Sequence, residues 1–472
     1  MPTVAGRGLV RDGLVYAVGL ALRGGLSLLV LPAATRILGP EEFGVATAAL
    51  VIASVLSIVF TLGCNFAILR IYFDEPETAE RTDWAMLLRA QLLLGAALAG
   101  VAWLLGPLWS GIYDGVPWSS ALQLAVLLGF AQAAQTTALS VLRAARRVYA
   151  FVGVVLVQVV VGGTLAVLLA AEHGPAGLVG GLALGASLGA LLGLALTYRR
   201  PSWSWISLRA GLLLSIPFAA VMLSGWVFGL SDRVLIERFL GLASLGSYQV
   251  AYALAIVPIL LTDALQTAWL PHFYRLDAST KRALPGRLAT RVTVAVAAVA
   301  AGVVLLSPAI GALLAPTDFD VPVTVVALVV SATFVRASYL IAFAVLSDAK
   351  ESRSIARASS LGAAVNVALN LWLIPLWGLT GAALTTLVAY GVISIVALRR
   401  TEIVIGSQLN LALLVRLWTG LVVVMLTLSV LPTDATGWTL RGMIAVLVAI
   451  AACAALQRTR NSYEAAITPV PV

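Results

Sequence analysis

The chain alternates long apolar runs with short polar links, and this pattern continues from one end to the other. A helix needs about 20 predominantly apolar residues to cross the hydrocarbon core of a bilayer. The pattern therefore predicts fourteen transmembrane helices, with no link long enough to hold a soluble domain. The predicted spans are 13–35, 43–69, 84–106, 119–142, 148–171, 177–198, 210–231, 246–270, 290–314, 322–346, 355–375, 378–398, 411–432 and 438–457.

The composition agrees with a polytopic membrane protein. Of the 472 residues, 61% are hydrophobic and 11% are charged, whereas soluble domains carry about 25% charged residues. The first apolar run extends to about residue 35, which is too long for the apolar region of a cleaved signal peptide, so we expect it to be the first membrane helix. Cys64 and Cys453 lie in separate apolar segments and are expected to be buried thiols.

The distribution of positive charge predicts the orientation in the membrane. With the N-terminus inside, 22 of the 30 lysines and arginines fall on internal segments, and four fall on external turns. Cytoplasmic loops carry an excess of these residues. We therefore expect both termini to face the cytoplasm, in a multi-pass protein of the inner (cytoplasmic) membrane.

An internal repeat organises the predicted helices. Residues 36–44 (RILGPEEFG) match 238–246 (RFLGLASLG) at an offset of 202, and two later turns match at 204, namely 141–146 with 345–350 and 174–177 with 378–381. Ordered matches at nearly one offset predict two pseudo-symmetric six-helix lobes, an arrangement of parallel repeats found in transporters. The predicted boundaries are 1–200, 201–400, and 401–472 for two additional helices and a tail.

The doubled hairpin has two interpretations. Its functional interpretation is an external gate that closes over a central cavity, and the alternative is a stable helical hairpin with no substrate role. In the first copy, Gly39 and Pro40 end one helix, and Gly44 permits close packing in the next. The candidate gate residues are Arg36, Gly39, Gly44, Arg238, Gly241 and Gly246.

The sequence resembles polysaccharide-repeat (O-antigen, Wzx-type) flippases. The features that carry the resemblance are the fourteen spans, the doubled hairpin and two stretches, 231–254 (SDRVLIERFLGLASLGSYQVAYAL) and 377–387 (WGLTGAALTTL). These proteins are the "polysaccharide biosynthesis protein" branch of the multidrug/oligosaccharidyl-lipid/polysaccharide (MOP) exporter superfamily. The resemblance covers nearly the whole chain. It implies a MATE-like fold of two lobes around a cavity, and alternating-access transport of undecaprenyl-diphosphate-linked sugars, driven by an ion gradient.

Three ionisable residues lie deep within predicted spans, where a charge is costly and normally faces a wet cavity or a partner. Arg23 and Arg336 are candidate cavity cations, because a guanidinium presents a planar fork to phosphate oxygens. A structural pair of Arg23 with a carbonyl or with Asp263 is the alternative. Asp263 is the candidate ion-coupling group, with structural pairing as its alternative. Arg89 and Arg416 lie nearer helix ends and are expected to snorkel.

Polar residues complete the candidate sites. Amide side chains within spans could bond sugar hydroxyls, although bonding between helices is their commoner use; the candidates are Gln132, Gln135, Asn65 and Asn366, together with Gln158 and Asn370. At the external end of one helix, a charge cluster is expected to be solvated; its members are Asp232, Arg233, Glu237 and Arg238.

The absence of certain sequence motifs limits the classes of function that we expect for this protein. No Walker A loop is present, and the two histidines lack matching ligands, so we expect no nucleotide, cofactor, metal or nucleic acid. A lipid-linked glycan, membrane lipid and other polysaccharide-assembly proteins are the expected partners. The first alternative is a MATE-type drug or cation antiporter, which would need more intramembrane acids. The second alternative, a membrane-embedded glycosyltransferase or polymerase, would need a catalytic carboxylate in a structured external loop. A transporter that is not an enzyme is therefore expected.

Overall fold

The computed structural model describes residues 28, 30–74, 81–113, 115–202, 204–274, 276–406, 409–448 and 450. Helices dominate these residues, and their one sheet is a parallel pair of two-residue strands, β1 (Arg81–Thr82) and β2 (Arg200–Pro201). The helices are α1 (30–37), α2 (Pro40–Thr61), α3 (Cys64–Asp74), α4 (Asp83–Leu104), α5 (Gly106–Trp109), α6 (Ser120–Ala144), α7 (Val148–Leu156), α8 (Gly162–Leu196), α9 (Trp205–Leu240), α10 (Leu242–Leu254), α11 (Ile256–Tyr274), α12 (Ala278–Leu314), α13 (Val323–Asp348), α14 (Ser352–Ile405), α15 (Leu411–Ser429) and α16 (Ala435–Val448).

The helices have the length and apolarity of membrane spans. Within the described ranges, nine helical runs could cross a bilayer, and a tenth is the pair α10–α11, which bends by 46°. The all-α polytopic fold expected from the sequence is confirmed. Most of the predicted first span, including Arg23, lies outside the described residues, as does Cys453.

Two of the long helices each contain a break at a glycine. In α8, Gly174 has a φ of 56°, and in α14, Gly378 has a φ of 58°. The segments on either side of each break fold back on each other. A Cβ on Gly177 would lie 1.9 Å from the carbonyl oxygen of Leu169, and a Cβ on Gly381 would lie 2.2 Å from that of Leu373. These breaks lie at the two turns, 174–177 and 378–381, that the repeat matches at an offset of 204.

The turns after α6 and α13 also share one geometry, and we call them the elbows (141–148 and 345–352). Arg146 and Lys350 have φ values of 53° and 60° at the same place in each elbow. The next amide donates back to a leucine carbonyl in both, from Arg147 to Leu142 and from Glu351 to Leu346. The backbone therefore repeats at the offset of 204 that the sequence predicts.

The chain divides into two compact units, residues 1–246 and 247–472. In the first unit, α6 is central and packs against α2, α3, α4 and α8, while α9 packs on α2 and α3. In the second unit, α13 is central and packs against α12, α14 and α15. The lobe boundaries at residues 200 and 400 stay a prediction.

The first complete span of the first unit is broken, which the apolar pattern does not predict. Between α2 and α3, Leu62 and Gly63 both have left-handed φ values, of 54° and 71°. A Cβ on Gly63 would lie 2.3 Å from the carbonyl oxygen of Ser215 in α9. Glycine at this position therefore permits the backbone of α9 to approach the break closely.

Arg441 connects α16 to α12 within the second unit. Its side chain is fully buried. The guanidinium donates to the carbonyl oxygens of Leu305 in α12 and Pro432, at 3.0 Å and 3.1 Å. It also lies 5.9 Å from the ring centroid of Trp438. Carbonyl oxygens and a ring face thus accommodate this buried charge.

Candidate functional site

The structure joins two of the residues that the sequence singles out separately. Arg336 of α13 donates to Asp263 of α11, with 2.8 Å between Nη2 and Oδ1, and to the hydroxyl of Thr262 at 3.2 Å. Sequence spacing could not reveal this partner, because 73 residues separate the two charges. Of the two interpretations of Asp263, the geometry favours a structural pair with an arginine, and that arginine is Arg336.

This ion pair is only partly buried. The side chain of Arg336 is 22% exposed and that of Asp263 is 48% exposed. A partly exposed pair costs less desolvation than a fully buried pair, and its arginine retains N–H donors for a further acceptor. The geometry therefore leaves N–H donors of Arg336 available beyond those bonded to Asp263 and Thr262.

The predicted amide ligands occupy buried positions, with two exceptions. Asn65, Gln135, Asn366 and Asn370 are buried, whereas Gln132 and Gln158 are half-buried. Asn370 donates to the side-chain oxygen of Asn366 at 3.0 Å. The roles of the six candidates as sugar ligands stay predictions.

The two predicted gate hairpins contact each other through their glycines, within the first compact unit. A Cβ on Gly44 would lie 2.0 Å from the carbonyl oxygen of Leu242, and a Cβ on Gly246 would lie 2.3 Å from that of Pro40. Pro40 and Leu242 are themselves related by the offset of 202, so the contact is reciprocal. Only glycine permits the backbones of α2 and α10 to approach this closely.

The remaining predicted gate residues are more open. Gly39 has open space where a Cβ would stand, and Gly241 has a φ of 84°, so its role is conformational. Arg36 and Arg238 are both exposed. Arg36 donates to the carbonyl oxygen of Pro32 at 2.8 Å.

The charge cluster beside this crossing is buried, and the expectation of a solvated cluster is wrong for all but Arg238. Asp232, Arg233 and Glu237 are 4%, 3% and 3% exposed. Arg233 pairs with Asp232 at 2.8 Å, and Glu237 accepts from the backbone N–H of Gly115 at 2.7 Å. The loop after α5 folds over the end of α9 and removes these charged side chains from water. The hydrogen bonds and the ion pair compensate for the lost hydration.

Tyr113 belongs to this cluster and was missed in the sequence. Its side chain is 1% exposed, and its hydroxyl has no hydrogen-bond partner among the described residues. Burial and the nearby Glu237 carboxylate raise the pKa of Tyr113, because both disfavour the phenolate. No sequence signal identified it, because tyrosine next to a turn is usually exposed.

The described residues contain no group of three or more histidine, cysteine or acidic side chains that could hold a metal ion.

Comparison with known proteins adds the family to this geometry. Residues 33–314, more than half of the chain, match the model of a family described as "Polysaccharide biosynthesis protein". The chain belongs to this family. A search among curated proteins gives no match.

Solved structures show the same fold at low sequence identity. The lipid II flippase MurJ, in an inward closed conformation, is 14% identical with a TM-score of 0.74, covering 94% of this chain and 99% of MurJ. An inward-facing multidrug resistance MATE transporter of the MOP superfamily is 15% identical with a TM-score of 0.62, covering 82% and 94%. An outward-facing MATE transporter of that superfamily has a TM-score of 0.53, covering 84% and 95%. The MATE-like fold of this family member is thereby confirmed.

Proposed function

We propose that this protein is a flippase that moves an undecaprenyl-diphosphate-linked oligosaccharide across the cytoplasmic membrane by alternating access, driven by an ion gradient. The observation that carries the proposal is a polysaccharide biosynthesis family member built on a fold shared with a lipid II flippase. The products of polysaccharide assembly on a lipid carrier must cross the membrane. Substrate, carrier and orientation, with both termini cytoplasmic, are part of the proposal.

The accessible ion pair supports an anionic substrate. In this proposal Arg336 keeps its charge and offers its free N–H donors to the diphosphate, while Asp263 balances the charge of the empty site. Arg23, outside the described residues, is proposed as a second cation for the diphosphate, and Asp263 as the group that responds to the ion gradient. The half-buried Gln132 and Gln158 are the amides best placed among the six candidates to meet a sugar.

The glycine crossing supports the gating part of the proposal. A contact made by bare backbone can separate and reform without the repacking of large side chains, and the exposed Arg36 and Arg238 flank it. We therefore propose that the crossing of α2 and α10 closes the external side of the transport path.

A reconstituted flipping assay tests the proposal. Purified protein in vesicles is supplied with a fluorescent undecaprenyl-diphosphate-linked oligosaccharide, and an added glycosidase reports how much glycan reaches the opposite leaflet. Arg336→Gln is expected to slow this movement at least tenfold. The matched control is Arg416→Gln, which removes an exposed arginine from α15 and should leave the rate within about twofold.

The alternative of a drug or cation antiporter makes the opposite prediction in the same vesicles. The wild-type protein would then exchange organic cations for protons or sodium, and the lipid-linked glycan would stay in its leaflet. That result would overturn the flippase proposal.

A further inference from the structure

A small pocket in the first unit lies away from the residues proposed for transport. It is formed at the ends of α3, α4, α6 and α8 that the charge distribution places in the cytoplasm, and it has a volume of about 80 Å³. This space is small beside the roughly 300–1,000 Å³ of pockets that enclose whole ligands. It suits a single head group, not an oligosaccharide. The lining includes Tyr72, Trp84, Arg147, Tyr198 and Arg199.

Two arginines of the pocket carry charge that no described residue neutralises. Arg147 and Arg199 form no ion pair with any described carboxylate, and both are exposed. Arg147 donates one N–H to the carbonyl oxygen of Leu196 at 2.8 Å, which fixes the guanidinium and leaves its other donors available. A fixed guanidinium fork is suited to phosphate oxygens.

The elbow of the second unit differs from that of the first in that its charge is neutralised. At the offset of 204, Arg147 corresponds to Glu351, and Leu196 corresponds to Arg400. Glu351 and Arg400 form an ion pair at 2.8 Å. In the second unit, an ion pair of opposite charges thus joins the elbow to the later helix. In the first unit, the pocket instead exposes two arginines.

The neighbouring residues hold this arrangement in place. The guanidinium of Arg89 lies 5.4 Å from the ring centroid of Tyr198 and donates to the carbonyl oxygen of Arg199 at 3.3 Å. The pairing of β1 with β2 then fixes the residues that follow Arg199. Arg89 is therefore a positioning residue for the pocket.

An apolar surface leads to the pocket along α8. Leu184, Leu188 and Leu191 are exposed and lie on one face of the helix, because their spacing of four and three residues matches the helical period. In a membrane protein this face contacts acyl chains, so a phosphate arriving here is one attached to lipid.

We propose that Arg147 and Arg199 bind the phosphate of an anionic glycerophospholipid, whose acyl chains lie along the exposed leucines of α8. Basic pockets between transmembrane helices on the cytoplasmic side bind such head groups. The site is separate from the transport proposal, since none of its residues belongs to the glycan path or the external gate.

Lipid binding to the full-length protein in detergent tests this inference, with dioleoyl phosphatidylglycerol as the probe and native mass spectrometry as the readout. Removing one arginine should weaken binding about fivefold, and Arg147→Gln/Arg199→Gln about 25-fold. Arg147→Lys keeps the charge but loses the fork, and its affinity should be intermediate. The control is Arg209→Gln, which removes an exposed arginine of the same unit outside the pocket and should change the affinity less than twofold.

Two further binding measurements, one with a different lipid and one with a competing anion, identify the ligand. Dioleoyl phosphatidylcholine should bind at least tenfold more weakly than phosphatidylglycerol, and inorganic phosphate should not compete at millimolar concentration. The inference is overturned if the double variant binds phosphatidylglycerol as the wild type does, or if Arg209→Gln weakens binding equally. Effective competition by inorganic phosphate would instead mean a site for free anions. A protein that binds the lipid but moves no glycan would refute the flippase proposal alone.

Discussion

The two helical hairpins, one in α8 and one in α14, have the same backbone conformation at their turns but differ in the residues that lie between their helices. In α8, Gly162, Gly181 and Gly185 bring the two helices into backbone contact. At the offset of 204 the corresponding residues are Asn366, Thr385 and Ala389, and the buried Asn366 accepts from Asn370. The helices of one hairpin meet through glycine backbone, whereas asparagine and threonine side chains occupy the equivalent positions of the other. The repeat thus preserves main-chain geometry while its interior chemistry has diverged.

The same divergence affects the intramembrane ion pair. Arg336 and Asp263 of the second unit correspond to Gln132, at an offset of 204, and Thr61, at an offset of 202. Thr61 donates to the carbonyl oxygen of Ser57 within its own helix. A charge-bearing centre therefore exists in the second unit, and neutral residues occupy the equivalent places in the first. This difference places the described ion pair of the proposed mechanism in the second unit, whereas the second proposed cation, Arg23, belongs to the first unit.

The largest expected effect comes from the glycines that close both hairpins. Gly177→Ala and Gly381→Ala each place a Cβ within about 2.2 Å of a backbone carbonyl oxygen, and backbone cannot rotate away as a side chain can. We expect each to lower the free energy of unfolding by about 3 kcal/mol, the upper part of the range for overpacking. The midpoint of thermal unfolding in detergent measures this.

Gly180→Ala is the matched control, because its Cβ would meet only Leu124 at 3.4 Å. If Gly177→Ala were severe and Gly381→Ala neutral, the two hairpins would not be equivalent.

The next effect concerns the rate of glycan movement and is expected where α2 and α10 contact each other through Gly44 and Gly246. Gly44→Ala and Gly246→Ala should each reduce glycan movement at least tenfold, because the added methyl group prevents the close approach of the two backbones. The flipping assay measures the rate, and detergent-purified yield separates folding from transport. Gly39→Ala, with open space around it, should keep nearly full activity; an equal loss in this variant would argue against the crossing as a gate.

A smaller effect is expected when the ion pair of the second unit is replaced by neutral residues, since the equivalent positions of the first unit are neutral. Asp263→Asn leaves Arg336 without its carboxylate, and we expect a loss of about 1–2 kcal/mol, reduced from the roughly 3–5 kcal/mol of fully buried pairs because the pair is partly exposed. Arg336→Gln/Asp263→Asn should recover part of that loss in thermal unfolding. Additive losses would show that the pair contributes no coupling.

The smallest effect concerns the elbows and depends on pH. Hydrogen bonds from Arg400 and Ser354 lower the pKa of Glu351. A depressed pKa stabilises the folded state above the unfolded value of about 4.3, and this contribution is lost as the pH falls through the folded value. Arg400→Gln should therefore lower the unfolding midpoint slightly at pH 7, and the difference should vanish in acid.

Arg147→Gln provides the comparison for that titration. Its partner is the carbonyl oxygen of Leu196, which does not titrate. The small loss in this variant should therefore stay constant between pH 7 and pH 4. A loss that disappears in acid would mean that an acidic side chain also contacts Arg147.

The fold was largely predictable from the sequence, because span length and the offset of the repeat depend on local composition. Both hairpin breaks and both elbows lie where the matches at 204 predict them. The partners of charged side chains were not predictable. The pair of Arg336 with Asp263 and the burial of Glu237 under Gly115 depend on contacts between distant helices. In a membrane protein the lipid-facing and core-facing sides are both apolar, so hydrophobic periodicity carries little information about which faces meet.

Arg146 and Lys350 combine a left-handed backbone with a long cationic side chain. Such a conformation costs of order 1 kcal/mol for a residue other than glycine, so glycine would relax both elbows. It would also remove a positive charge from the shortest of the turns that the charge distribution predicts to be internal in each half. Because a charge in such a short turn resists translocation during biogenesis, we expect each elbow to hold its two helices in a fixed orientation while the rest of its half is being inserted.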